Sequence, residues 1–193
     1  MNNELTNPLQ MLLKTAASTL PVSTGRVAIQ QAKLDRRAGE SVILADYSDS
    51  MASAAWGGQR KIDVLRQAVT GARQQKPARL IVFSASAREV DTIPEPQGNT
   101  NLVEGLRQAL AYDPGVTLVI SDGRPDRPDL ALKEAAKFRG VIDALYIGPE
   151  SDTEAIAFMR RLAAAAGGRA QINDLAKLGG PATLLSSIAG LLQ

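Results

Sequence analysis

Histidine and cysteine are both absent from the 193 residues. Without them the chain has no Ser-His-Asp triad, no Cys nucleophile and no zinc site built from nitrogen and sulfur. Any metal site must then be made of oxygen atoms from carboxylates, hydroxyls, carbonyls and water, a donor set that favours a hard cation such as Mg²⁺, Mn²⁺ or Ca²⁺. Neither G-x-x-x-x-G-K-[ST] nor G-x-G-x-x-G occurs, which removes the common nucleotide-binding loops. Long apolar runs are missing too. No stretch approaches the roughly 18 to 20 residues of a membrane span, and the apolar segment near the start is interrupted by Lys14 and lacks a basic leader. A soluble, cytoplasmic protein with no membrane partner is the expectation. Charge of one sign is also scarce: 22 basic residues against 20 acidic ones leave a net charge of +2, which offers no basic surface for nucleic acid.

What is present suits one globular domain, with 45% apolar residues and enough length for a sizeable core. From position 41 onward short apolar runs alternate with helical patterns, the sign of βαβ units and a parallel sheet. Ser41 to Ala45, Arg79 to Phe83, Val116 to Ile120 and Val141 to Ile147 read as strands, and Arg169 to Ile172 as a weak one. Arg88 to Ile93, followed by Pro94-Glu95-Pro96, reads as a short edge strand. Helices are expected over Lys61 to Gln75, around Leu102 to Leu110, over Asp129 to Arg139 and Thr153 to Ala166, and from about Pro181. The expected fold class is α/β, with a doubly wound, mostly parallel central sheet, one short antiparallel edge strand and helices on both faces.

Residues 1–40 read as a helical extension packed on or beside a domain of residues 41–193. Asn7 and Pro8 signal a helix start, and Leu9, Leu12, Leu13, Ala16, Ala17 and Leu20 form one apolar stripe after it. That stripe either packs on its own domain or docks on a partner. Val27, Ile29 and Leu34 fit an added edge strand or a second helix.

The chemistry gathers in three loops. Asp46-Tyr47-Ser48-Asp49-Ser50 follows the first strand, Gly98-Asn99-Thr100-Asn101 opens a later helix, and Ser121-Asp122-Gly123 ends another all-apolar strand. Ligands of open α/β sheets bind at the carboxyl edge, where these loops lie. Taken alone, each string is equally a set of turn and capping residues. Together and in this order, D-x-S-x-S, then Thr, then Asp, they resemble the metal-ion-dependent adhesion site (MIDAS) of the von Willebrand factor type A (vWA) family, over about residues 41 to 190.

The resemblance implies one divalent cation, Mg²⁺ or else Mn²⁺ or Ca²⁺, held by Asp46, Ser48, Ser50, Thr100 and Asp122. Ser48 and Ser50 would ligate directly, Asp46 and Asp122 largely through water or hydrogen bonds, and Thr100 directly or through water. Neutral first ligands leave the ion's charge incompletely balanced, so a carboxylate from a protein partner's Asp or Glu makes a good final ligand. One position departs from the family, Asp49, where Gly is commonest between the two serines. Its carboxylate either flanks the ion, tightening metal binding and opposing an acidic ligand, or points into water.

The family also includes small intracellular domains that serve larger complexes, for example with an AAA+ ATPase or a stress-response system. Tyr47, Asp49, Trp56, Arg124, Asp126 and Arg127 are candidates for contacting a protein partner, Trp, Tyr and Arg being the types that dominate interface energetics. A rival reading makes Asp46 the nucleophile of a Mg²⁺-dependent phosphohydrolase, with Asp122 holding the metal. Phosphohydrolases of the haloacid dehalogenase type usually place a second Asp two residues on, and Ser48 stands there. A binding role without catalysis is therefore preferred.

Overall fold

The computed structural model describes residues 25–193. The stripe from Leu9 to Leu20 and its start signal lie outside the described residues. The ambiguous segment after it is helical, α1 (Gly25–Arg37), which places Val27, Ile29 and Leu34 on a helix. The described residues 25–35 belong to a unit of their own, and the α/β unit begins at Arg36.

Within that unit the elements alternate as the apolar runs require. They are β1 (Ser41–Asp46), a 3-10 turn (Asp49–Ala52), α2 (Lys61–Gln75), β2 (Arg79–Phe83), β3 (Ala87–Glu89) and α3 (Leu102–Leu110). β4 (Val116–Ser121), α4 (Pro128–Ala135), β5 (Val141–Tyr146), α5 (Thr153–Ala165), β6 (Ala170–Ile172) and α6 (Gly180–Leu191) follow. The strands form one six-stranded sheet in the order β3-β2-β1-β4-β5-β6, parallel except for β3, which pairs antiparallel with β2. The fold is α/β and Rossmann-like. Strand order reverses between β1 and β4, so the crevice outside their carboxyl ends is the place where such a sheet can hold a ligand.

Period-two alternation of the buried strands feeds two cores. Ile43 and Ala45 of β1 and Leu118 and Ile120 of β4 face Ile62, Leu65 and Val69 of α2 and Leu184 and Ile188 of α6. On the other face Val42, Leu44, Val119 and Ile142 pack with Leu102 and Leu106 of α3, Ala131 and Ala135 of α4, and Phe158 and Leu162 of α5. With both faces covered, the ends of β1 and β4 are held rigidly.

Two elements are shorter than their sequences predict by more than one residue. β3 stops at Glu89 and does not reach Ile93, because the Ile93 and Pro94 carbonyls accept from the Arg66 guanidinium at 2.8 and 2.6 Å and draw the chain off the sheet edge. α4 ends at Ala135, not Arg139, because the amides of Lys137 and Phe138 bond back only three residues, to Glu134 and Ala135. A tight turn then leads into β5. No described helix is long and apolar enough to cross a membrane.

Candidate metal centre

Asp46 is the last residue of β1, and its carboxylate shapes the loop that follows. The Ser48 amide turns back to Asp46 Oδ1 at 2.8 Å, the local bond by which Asp favours a turn. The Ser48 carbonyl accepts from the Met51 amide at 3.0 Å, opening the 3-10 turn, and the buried Met51 side chain anchors that turn in the core. Ser48 and Ser50 are thereby brought to one side, their Oγ atoms 3.1 Å apart.

The second loop is tied to the first mainly by backbone, with one long side-chain bond from Gln97 Nε2 to the Tyr47 hydroxyl at 3.5 Å. Gly98, at φ +73°, adopts the left-handed conformation that glycine enters without steric cost. Its carbonyl accepts from the Asp49 amide at 3.0 Å, while the Gln97 amide donates to the Tyr47 carbonyl at 2.8 Å. Thr100 is half-buried. Its carbonyl accepts from Leu102 at 3.1 Å and from Asp126 at 3.0 Å, joining the second loop to the third.

In the third loop Asp122 completes a run of oxygen atoms. Ser50 Oγ donates to Asp122 Oδ1 at 2.7 Å, and Ser121 Oγ donates to Asp46 Oδ2 at 2.6 Å. Asp46 is fully buried, and burial is the main cause pushing its carboxyl up to about 6, against the hydrogen bonds from Ser121 and Ser48. The Asp122 charge adds to the rise. A cation beside this pair would favour the ionised form.

The donor chemistry suits a hard cation. The 3.1 Å between the two Ser hydroxyls matches the roughly 3 Å edge of an octahedron with ligands at about 2.1 Å. Among the described residues no group of three or more acidic, His or Cys side chains is placed to hold an ion. A site here reaches its ligand count only through hydroxyls, as the D-x-S-x-S string implies.

No protein-family model matches the chain, and no curated protein matches it.

Of the five sequence-predicted site residues, hydrogen bonds link Asp46, Ser48, Ser50 and Asp122 into one network; Thr100 stands outside it, its carbonyl bonded to the amides of Leu102 and Asp126. Among the rim residues, Asp49, Asp126 and Arg127 are exposed. Trp56 is 51% exposed, its amide held by the Leu175 carbonyl at 2.7 Å. Arg124 is exposed and ion-paired with Glu154. Tyr47 corrects the expectation that it meets a partner: at 2% exposure it continues the Ile43, Ala45 alternation into the core.

Three residues enter that the motif did not name. Ser121 holds the outer oxygen of Asp46. At Gly148 an added Cβ would stand 2.3 Å from the Asp122 carbonyl, so only glycine lets the end of β5 pass that loop. Lys61, the first residue of α2, donates from Nζ to Asp122 Oδ2 at 2.7 Å. A Lys at the positive end of a helix macrodipole was the available sequence signal.

Proposed function

We propose that this chain is a divalent-cation-dependent protein-binding module of the vWA kind, carrying a MIDAS that takes an acidic residue of a protein partner. Ser48 and Ser50 hold the ion directly, Asp46 and Asp122 hold it through water or through the ligating groups, and Thr100 closes the second loop. The ion, Mg²⁺ or else Mn²⁺ or Ca²⁺, supplies an under-neutralised positive charge that accepts the partner's Asp or Glu carboxylate. In this reading the chain serves as a subunit of a larger intracellular complex, for example with an AAA+ ATPase or a stress-response system, and turns over no substrate.

One observation carries this reading. Oxygen atoms from the loops after β1 and β4 meet at the point where strand order reverses, Ser50 Oγ lying 3.1 Å from Ser48 Oγ and 2.7 Å from Asp122 Oδ1. The rival phosphohydrolase loses ground on the burial of Asp46. Its carboxylate is 0% exposed, and both oxygens already accept hydrogen bonds, one from the Ser48 amide and one from Ser121. A nucleophile must reach a phosphorus atom, and this carboxylate faces inward.

Calorimetric titration with Mg²⁺ and Mn²⁺ tests the proposal. The wild-type chain takes up one ion, and Ser50→Ala, which removes an exposed hydroxyl without opening the core, weakens uptake by about tenfold or more. Full uptake by Ser50→Ala, or no uptake at millimolar ion even after Lys61→Met removes the ammonium paired with Asp122, sinks the reading.

A further inference from the structure

Lys61 is out of place by every local rule. It opens α2, where the helix macrodipole disfavours a cation and an acidic or hydroxyl residue would serve better. Its side chain is only 10% exposed, and lysine is almost never buried without a partner. Its position is not accidental slack in a surface stem. The Lys61 amide bonds to the Ser53 carbonyl at 2.9 Å, the Ala55 amide bonds to the Gln59 carbonyl at 2.7 Å, and Ala54 and Arg60 form an antiparallel bridge. This closed loop between the 3-10 turn and α2 fixes the backbone that delivers the ammonium to Asp122.

Asp122 is shared. Oδ1 accepts from Ser50 and Oδ2 from Lys61, each at 2.7 Å, and the Asp122 side chain is 1% exposed. An ion seated on the Ser48 and Ser50 hydroxyls would therefore draw on a carboxylate that already holds a positive charge. We propose that Lys61 is a tethered competitor of the divalent ion, which satisfies Asp122 when no ion is bound, weakens metal binding, and leaves the loaded site with surplus positive charge for an acidic ligand. The inference rests on the metal-site reading above.

Charge sets the direction of both effects. The first ligands are neutral, but the carboxylates of Asp46 and Asp122 just beyond them carry two negative charges that oppose an approaching third. With Lys61 also present the loaded site keeps one positive charge. Asp49, the remaining acidic group of the loop, is exposed, and water screens it. At an effective dielectric of about 20, a unit charge within about 5 Å of a divalent ion changes affinity by tenfold or more. Lysine suits the role better than arginine, because one ammonium on a flexible stem can leave a carboxylate without breaking a fixed fork of bonds.

Calorimetry with Mg²⁺ on the full chain, comparing wild type, Lys61→Met and Lys61→Arg, provides the test, with acetate as the acidic probe of the loaded site. Lys61→Met is expected to bind Mg²⁺ at least about tenfold more tightly and, once loaded, to bind acetate more weakly; Lys61→Arg stays within about threefold of wild type. Uptake by Lys61→Met from a wild type that takes up none also supports the proposal. Equal or weaker Mg²⁺ binding by a folded Lys61→Met overturns it and leaves the metal site standing. No binding by either chain overturns both. Because removing the ammonium strands a buried carboxylate and can unfold the variant, wild type is also labelled with an amine-acylating reagent and mapped by mass spectrometry. Mg²⁺ is expected to raise the reactivity of Lys61, and unchanged reactivity in Mg²⁺-loaded protein overturns the proposal.

Discussion

Asp122 and Asp143 are both buried, and each has a basic partner within 2.7 Å, yet the two ends of the sheet use them differently. Asp143, inside β5, accepts from the Arg169 amide on one oxygen and from Arg37 Nη2 on the other, each at 2.6 Å. The same guanidinium donates to the Leu191 and Gln193 carbonyls at 2.8 and 2.7 Å. Both carboxylate oxygens are engaged, and a planar fork with several fixed acceptors has one pose. Asp122 instead meets a lone ammonium and the hydroxyl of an exposed serine. The first arrangement is a staple, while the second holds groups that another cation can take over. Burial and pairing are common to both carboxylates; what differs is the number of independent bonds locking the cation, and on the proposal above that difference is what leaves Asp122 open to exchange.

Arg37→Ala should break the comparison most heavily. It leaves Asp143 charged and fully buried, at a cost of about 3 to 5 kcal/mol. Urea denaturation would report the loss, while Mg²⁺ affinity of the folded fraction stays within about twofold, because distant sites behave additively. A parallel collapse of metal binding would show that the two ends are coupled. Gly148→Ala is expected to cost about 1 to 3 kcal/mol through overpacking against the Asp122 carbonyl. Unlike the first change it should also weaken Mg²⁺ uptake, read by calorimetry beside the thermal melt; unaltered uptake would mean that Asp122 tolerates displacement. Arg124→Ala sets the floor. Its ion pair with Glu154 has both side chains more than half exposed, so melting should move by no more than about 0.5 kcal/mol. A larger shift would show that exposed pairs here are worth as much as buried ones.

Much of the fold was legible because its signals are local. α2 and β2 have the bounds their periodicity predicts, and β1, β4 and β5 are the apolar runs expected of strands buried on both faces. Edges read less well. The over-long β3 depended on Arg66, whose bonds to Ile93 and Pro94 no propensity encodes. The D-x-S-x-S string, the Thr loop and the terminal Asp could be ordered from sequence, since each follows a strand or opens a helix. Lys61 could not be placed, because its partner lies 61 residues away and only the sheet order brings them together. Tyr47 was legible in hindsight through the alternation of Ile43 and Ala45, but its position in a polar string drew attention to the loop.

The backbone bonds that join the loops have a practical consequence. Asp49 to Gly98, Gln97 to Tyr47 and Asp126 to Thr100 are all amide-to-carbonyl links, indifferent to the side chains those residues carry. An exposed position such as Asp49 can accordingly be exchanged while the loop oxygens keep their places, whereas Asn99 and Asp126, whose side chains bond to each other, would have to be exchanged together. If the proposed site binds an acidic partner, rewriting the rim would change which surface is chosen without rebuilding the loops beneath it, making the chain a graftable frame for new recognition.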